Sequence, residues 1–226
     1  MSEEVCPKCE NTRINVYQDE EGYVFAKPCE CANEYDFKRR IKKSGLLNVI
    51  EDYTFDKFEV KGIWQKTVKD KALSFVDNTN GNWFYIGGQV GSGKTMICTA
   101  IVGKLIKRGL DAHYMMYRQE IMELKMGMED FMTYSKKLNY LKTVKVLYID
   151  DLFKGTNQPT EADLRIVFDL LNYRYVNREL ITIISTEKSI ADIMLIDEAI
   201  GSRIYQRSKD YAIKLAQNPD LNMRMK

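Results

Sequence analysis

Residues 85–95 read "YIGGQVGSGKT". Within them Gly88, Gly93, Lys94 and Thr95 match the phosphate-binding pattern G-x-x-x-x-G-K-[S/T]. The flanks supply the context this pattern needs. "WFYIGG" (83–88) is apolar enough for a buried strand, and "KTMICTAIVGKLIKRG" (94–109) predicts a helix ending at a glycine. Glycines at this turn let backbone N–H groups point inward around phosphate oxygens, and the helix N-terminus adds positive potential. Lys94 is expected to reach the β- and γ-phosphates of ATP, and Thr95 to hold Mg²⁺. Gly91, Ser92 and Met96 complete the expected nucleotide-contacting set.

Working outward, β and α patterns alternate. "AHYMMY" (112–117), "VKVLYID" (144–150) and "ELITIIS" (179–185) predict strands, and 64–77, 118–142 and 160–178 predict helices. That order implies an α/β fold with a mostly parallel sheet covered on both faces. "VLYIDD" places Asp150 and Asp151 at the C-terminal end of a strand. Asp150 is expected to orient Mg²⁺ through water and Asp151 to polarise an attacking water. Many ATPases carry glutamate at the second position, and the shorter aspartate predicts slow hydrolysis. "IISTE" puts Ser185 and Thr186 at the tip of the next strand, on the edge where open α/β sheets bind ligands.

The 226-residue chain has a formal net charge of +2 and 45% hydrophobic residues, so whole-molecule charge does not announce a nucleic-acid partner. A single histidine, His113, argues against a histidine-rich metal site or a serine–histidine triad. No apolar run approaches the roughly 18 residues of a membrane span, and the polar N-terminus is unlike a signal peptide, so a cytoplasmic home without membrane contact is expected. Four of the five cysteines fall within the first 31 residues, as "CPKC" (Cys6, Cys9) and "CEC" (Cys29, Cys31). In a reducing cytosol such clustering points to Zn²⁺ held by four thiolates. The segment between the pairs alternates like a hairpin with "DEEG" as its turn, which predicts a zinc ribbon. The C-x-C spacing of the second pair is tighter than the commoner C-x-x-C. Cys98 is expected in the core. A basic helical stretch, "EYDFKRRIKKSGL", leads to a boundary that divides the chain into 1–48 and 49–226.

The phosphate-binding loop, "IDDLFKG", "NYRY" (172–175), "IISTEKS" and "IGSRIYQR" occur in an order and spacing that resemble the DnaC/DnaI helicase loaders, especially those of phages and prophages of Gram-positive bacteria. The resemblance implies an AAA+ fold that assembles with copies of itself, a hexameric DnaB-type replicative helicase as partner and single-stranded DNA nearby. It likens the cysteine segment to a zinc-binding helicase-docking domain. It also implies site roles beyond Lys94, Asp150 and Asp151. Thr186 stands where relatives carry a first-sensor asparagine, Arg224 resembles a second-sensor arginine, and Arg207 corresponds to an arginine finger supported by Arg203 one turn earlier. The segment 118–142 lies where the family lines a DNA path. Tyr134, Lys136, Lys137, Tyr140 and Lys142 mix aromatic and basic groups as single-strand binders do, although an amphipathic helix also serves plain packing. Two rivals share these motifs. One is an IstB-type transposition ATPase, against which the N-terminal cysteines argue; the other is a nucleotide-switched adaptor or inhibitor of the helicase with negligible turnover.

Overall fold

The computed structural model describes residues 5–155 and 158–215. Near the N-terminus, strands β1 (Ile14–Gln18) and β2 (Val24–Pro28) pair antiparallel across the Asp19–Tyr23 turn. Helix α1 (Glu30–Ser44) follows directly. Its C-terminal half already belongs to the main core, with Ile41 and Ser44 buried and Arg40 and Lys43 paired to Asp111 at 3.2 and 3.4 Å. Leu46 and Ile50, on either side of residue 48, are buried in the same cluster.

Beyond α2 (Ile63–Asp77), strands β3 (Phe84–Gly88), β4 (Ala112–Met116), β5 (Val146–Asp150), β6 (Ile181–Thr186) and β7 (Ala212–Leu215) form one parallel sheet of order β4-β5-β6-β3-β7. Every residue of β5 and β6 is buried, as a sheet covered on both faces requires. Alternation sorts the side chains. Phe84, Ile86, Val146, Tyr148 and Ile183 face α2 and α3 (Lys94–Lys107). Tyr85, Leu147, Ile149 and Ile184 face the opposite layer, built from α4 (Tyr117–Met126), α5 (Phe131–Thr143), α6 (Glu161–Val176), α7 (Ile190–Ile196) and α8 (Glu198–Ser208). This is the α/β architecture expected, with β3, the strand that leads into the phosphate-binding loop, between β6 and β7.

Two features depart from expectation. The segment 118–142 is not one helix, because Gly127–Glu129 forms a 3₁₀ turn and Asp130 starts α5 afresh by accepting from the Met132 and Thr133 N–H groups. Strand β7 has no counterpart in the sequence reading, since four residues carry too short an alternation to register.

Arg174, on α6, is fully buried without a carboxylate partner. Its guanidinium donates to the carbonyls of Leu141, Lys142, Val144 and Ile181 and to Thr182 Oγ1, at 2.7–3.1 Å. It thereby ties the end of α5 to the start of β6. Burial and the nearby Arg207 charge both push its pKa down, so the carbonyl cage is what sustains the cation. Arg174→Met leaves those carbonyls unpaired in a closed site and should lower stability by about 3 kcal/mol or more, read as a fall in the urea midpoint.

Candidate functional site

The loop after β3 is shaped by close backbone approach. Gly88 lies at φ +132°, and a β-carbon there would fall 2.2 Å from the Leu215 carbonyl oxygen, so only glycine fits beside β7. Gly93, at φ +77°, caps the N-terminus of α3. Ser92 Oγ donates to the Gln89 carbonyl at 2.7 Å and closes the turn. Lys94 Nζ folds back over the loop onto the carbonyls of Gly88 (2.9 Å) and Gln89 (2.7 Å). Burial lowers its pKa while the charges of Asp151 and Glu187 work the other way. The ammonium is thus held over the loop by two backbone carbonyls.

At the end of β5, Asp150 is buried and accepts hydroxyls from Tyr148 (2.7 Å), Tyr114 (2.8 Å), Thr95 (3.4 Å) and Ser185. Burial, with the Asp150 charge adding to it, pushes the pKa values of Tyr114 and Tyr148 upward, so both remain donors. Thr95 on α3 and Asp150 on β5 thus stand side by side below the loop. Asp151, at φ +58°, faces the cleft instead, and its carboxylate takes Lys154 Nζ at 2.8 Å. A cleft of about 180 Å³ lies over the loop, lined by Gly91, Gly93, Lys94, Thr95, Met96 and Asp151 and also by Tyr53, Lys154 and Glu187.

Those last three were not among the expected site residues. Tyr53 reads as a connector aromatic in "YTFDKF", Lys154 as a loop charge, and Glu187 lies one residue past the strand tip. Thr186, expected as a sensor, is bonded within the chain. Its hydroxyl donates to the Leu152 carbonyl at 2.7 Å and accepts from the Lys188 N–H, and the residue is fully buried. It pins the loop after β5, and Glu187 takes the place in the cleft.

The arginine pair divides in two. Arg207 is buried, with its guanidinium on the carbonyls of Gly81 (2.6 Å), Tyr175, Arg174 (3.4 Å) and Arg178 (3.4 Å), beside the Trp83 ring. In this single chain the guanidinium expected as a finger is engaged internally. Its guanidinium satisfies carbonyls at the C-terminus of α6, which lack partners within their own helix. Arg203 is half-buried, donating to Asn172 Oδ1 (2.9 Å) and the Ala199 carbonyl (2.8 Å) over the Phe168 and Tyr175 rings. Arg224 lies outside the described residues. In the 118–142 segment, Lys137 pairs with Glu120 and Glu123, Lys142 with Asp169 at 2.7 Å, and Tyr140 packs on His113, while Lys136 is exposed.

The sulfurs of Cys6, Cys9, Cys29 and Cys31 lie within 4.8 Å of one another. Cys9 and Cys31 are 3.4 Å apart and Cys6 and Cys29 3.9 Å. A tetrahedral ion with Zn–S bonds of about 2.3 Å needs sulfurs about 3.8 Å apart, so the donor set fits zinc. The tight C-x-C spacing has a local cause: Cys29 is the N-cap of α1 and Cys31 sits in its first turn. The second pair therefore comes from a helix start, where a plain ribbon would use a second hairpin.

A profile of the IstB-like ATP binding proteins matches residues 27–224. The chain belongs to this family. It is 34% identical over 203 residues to Bacillus subtilis (strain 168) YqaM, covering 84% of this chain and 63% of that protein's length. It is 31% identical over 197 residues to the Bacillus subtilis (strain 168) phage-like element PBSX protein XkdC, covering 82% of this chain and 73% of the other. The crystal structure of the DnaC helicase loader superposes with a TM-score of 0.65 at 23% identity, covering 76% of this chain and 99% of that one, a likeness of fold. Together these identify an IstB-like ATP-binding domain with the fold seen in the DnaC helicase loader structure. Among the described residues no helix is long and apolar enough to cross a membrane.

Lys94→Ala removes the lysine held over the loop backbone and should weaken Mg²⁺–ATP binding about 10- to 100-fold in a calorimetric titration, the range of one or two charge-assisted hydrogen bonds.

Proposed function

We propose that this protein is a helicase loader: an ATP-regulated AAA+ protein that docks on a hexameric DnaB-type replicative helicase through residues 1–48 and uses residues 49–226 to assemble and to help place the helicase on single-stranded DNA. The observation that carries this reading is the pairing, in one chain, of the phosphate-binding loop with a four-thiol cluster whose hairpin stays uncovered. Val16, Tyr23 and Val24 on that hairpin are 68–69% exposed. A metal-stapled hairpin with apolar side chains in solvent supports a protein-docking role. The setting this implies is a bacterial, or phage-infected bacterial, cytoplasm.

ATP would lie across the loop with its phosphates on the backbone N–H groups and Lys94, and Tyr53 would flank the cleft beside Met96. Thr95 and Asp150 would hold Mg²⁺, which supplies charge neutralisation on the phosphates. Asp151 would orient the attacking water, but its carboxylate is engaged by Lys154, which supports slow, switch-like turnover. That same contact is what favours a nucleotide-switched adaptor as the second reading. Arg203, less buried than Arg207, is the better candidate for a finger toward a neighbouring subunit, with Arg207 as its internal support.

Two measurements test the reading. Freshly purified protein should contain about one zinc per chain, and the Cys9→Ser/Cys31→Ser variant should lose both the metal and helicase co-purification while keeping ATP binding. Metal well below one equivalent in the parent protein sinks the docking proposal. For assembly, Arg203→Ala and Lys94→Ala subunits should each be inactive in stimulated hydrolysis. Their mixture should recover part of it, because one supplies the loop and the other the finger. Confirmed mixed assemblies without recovery would exclude the finger role.

A further inference from the structure

Three charged groups that the nucleotide-site reading leaves without a joint role meet on one wall of the cleft. Lys154 Nζ lies 2.8 Å from Asp151 Oδ2 and 3.2 Å from Glu187 Oε1. All three line the same cleft as Lys94 and Thr95. A surface ion pair by itself contributes little. This one is aimed by a strained loop: Asp151 and Phe153 both take positive φ, +58° and +59°, which side chains adopt only at a cost. The end of β6 holds that conformation through Leu152 N–H to the Ser185 carbonyl (3.0 Å) and Thr186 Oγ1 to the Leu152 carbonyl (2.7 Å). Phe153 is buried against the Tyr117 ring, so the turn cannot relax without opening the core.

We propose that Lys154 is the residue by which this site distinguishes a nucleoside triphosphate from a diphosphate: its ammonium bridges Asp151 and Glu187 until a terminal phosphate takes it from one of them. This rests on the nucleotide-binding reading above and deepens it. The loop amides would cradle the inner phosphates, with Lys94 reaching the second and third from the loop side. The acidic strand end is where a third phosphate and its attacking water must stand. Two carboxylates there repel that phosphate unless a cation lies between them. Lys154 is that cation, and a phosphate bearing several acceptor oxygens competes well for an ammonium. The carboxylates on either side raise the Lys154 pKa, so it stays charged at neutral pH. A diphosphate leaves the bridge undisturbed; a triphosphate opens it and frees the Asp151 carboxylate for water.

The test is the affinity of the full chain for ATP and for ADP, both with Mg²⁺, by calorimetric titration. Lys154→Met should weaken ATP binding about tenfold or more while ADP binding changes less than about threefold, since only the third phosphate meets the uncovered carboxylates. Glu187→Gln added to Lys154→Met should restore much of the ATP affinity, because one repelling charge is gone. Lys154→Arg should keep the preference and shows that loss in the methionine variant is not loss of fold. Equal weakening of both nucleotides, no change in either, or no recovery in the double variant overturns the proposal. A parent chain that binds neither nucleotide defeats the nucleotide-site reading itself, and a parent that binds both while Lys154→Met keeps the parent ratio defeats the Lys154 role alone.

Discussion

The carboxylate of Asp150 is the constraint on which the functional half of the molecule turns. It is buried at the centre of the sheet edge and surrounded by hydroxyls from four elements: Thr95 on α3, Tyr114 on β4, Tyr148 on β5 and Ser185 on β6. A buried charge is tolerated only where such bonds replace its hydration. Losing one hydroxyl therefore costs more than one hydrogen bond, because the remaining cage still has to hold the anion. The same arrangement fixes the ends of β4, β5 and β6 relative to the helix that carries the phosphate-binding loop, so the chemistry and the sheet register share one anchor.

Much of this was legible in the sequence because it rests on local rules. Glycine spacing in a strand–loop–helix context marks a phosphate-binding turn, and short apolar runs between helical segments mark buried parallel strands. What was not legible depends on which way a side chain points at a strand end. Ser185 and Thr186 are neighbours with the same chemistry, yet strand periodicity sends Ser185 to Asp150 and Thr186 to the Leu152 carbonyl on the other side. A hydroxyl pair at a strand tip offers the site only one of its members, and the residue after the strand, Glu187, is free to turn into the cleft. Tyr53 shows the other limit: it reaches the cleft from a segment more than thirty residues upstream of the loop, a distance no local pattern can bridge.

Arginine burial follows a similar logic. Residues 203 and 207 both meet α6, but Arg203 stops at the Asn172 side chain while Arg207, in the last turn of α8, reaches the carbonyls at the end of α6. The last carbonyls of α6 have no partners within their helix, and the guanidinium of Arg207 is the donor that satisfies them. Arg174 does the same for the carbonyls between α5 and β5. Neither could be assigned from charge pattern, since both lack carboxylate partners and an unpartnered arginine reads as solvated.

The path from the cleft to Arg203 is short and stiff. After β6 ends at Thr186, three residues precede α7, and Asp197 alone separates α7 from α8. Ser189 and Asp192 close a reciprocal cap on α7, and Asp197 caps α8 through the Ile200 N–H. Gly201 sits so close to Met194 that a β-carbon there would lie 2.5 Å from the Met194 side chain. Both helices are capped and in contact, and only residues 187–189 and 197 lie outside regular structure between β6 and α8. The wall of the cleft is therefore joined to α8, the helix that carries Arg203, by one short connection and two capped helices in direct contact. The sequence needs glycine at 201 because α7 and α8 approach too closely for a β-carbon, and the caps at 189 and 197 fix where each of the two helices starts.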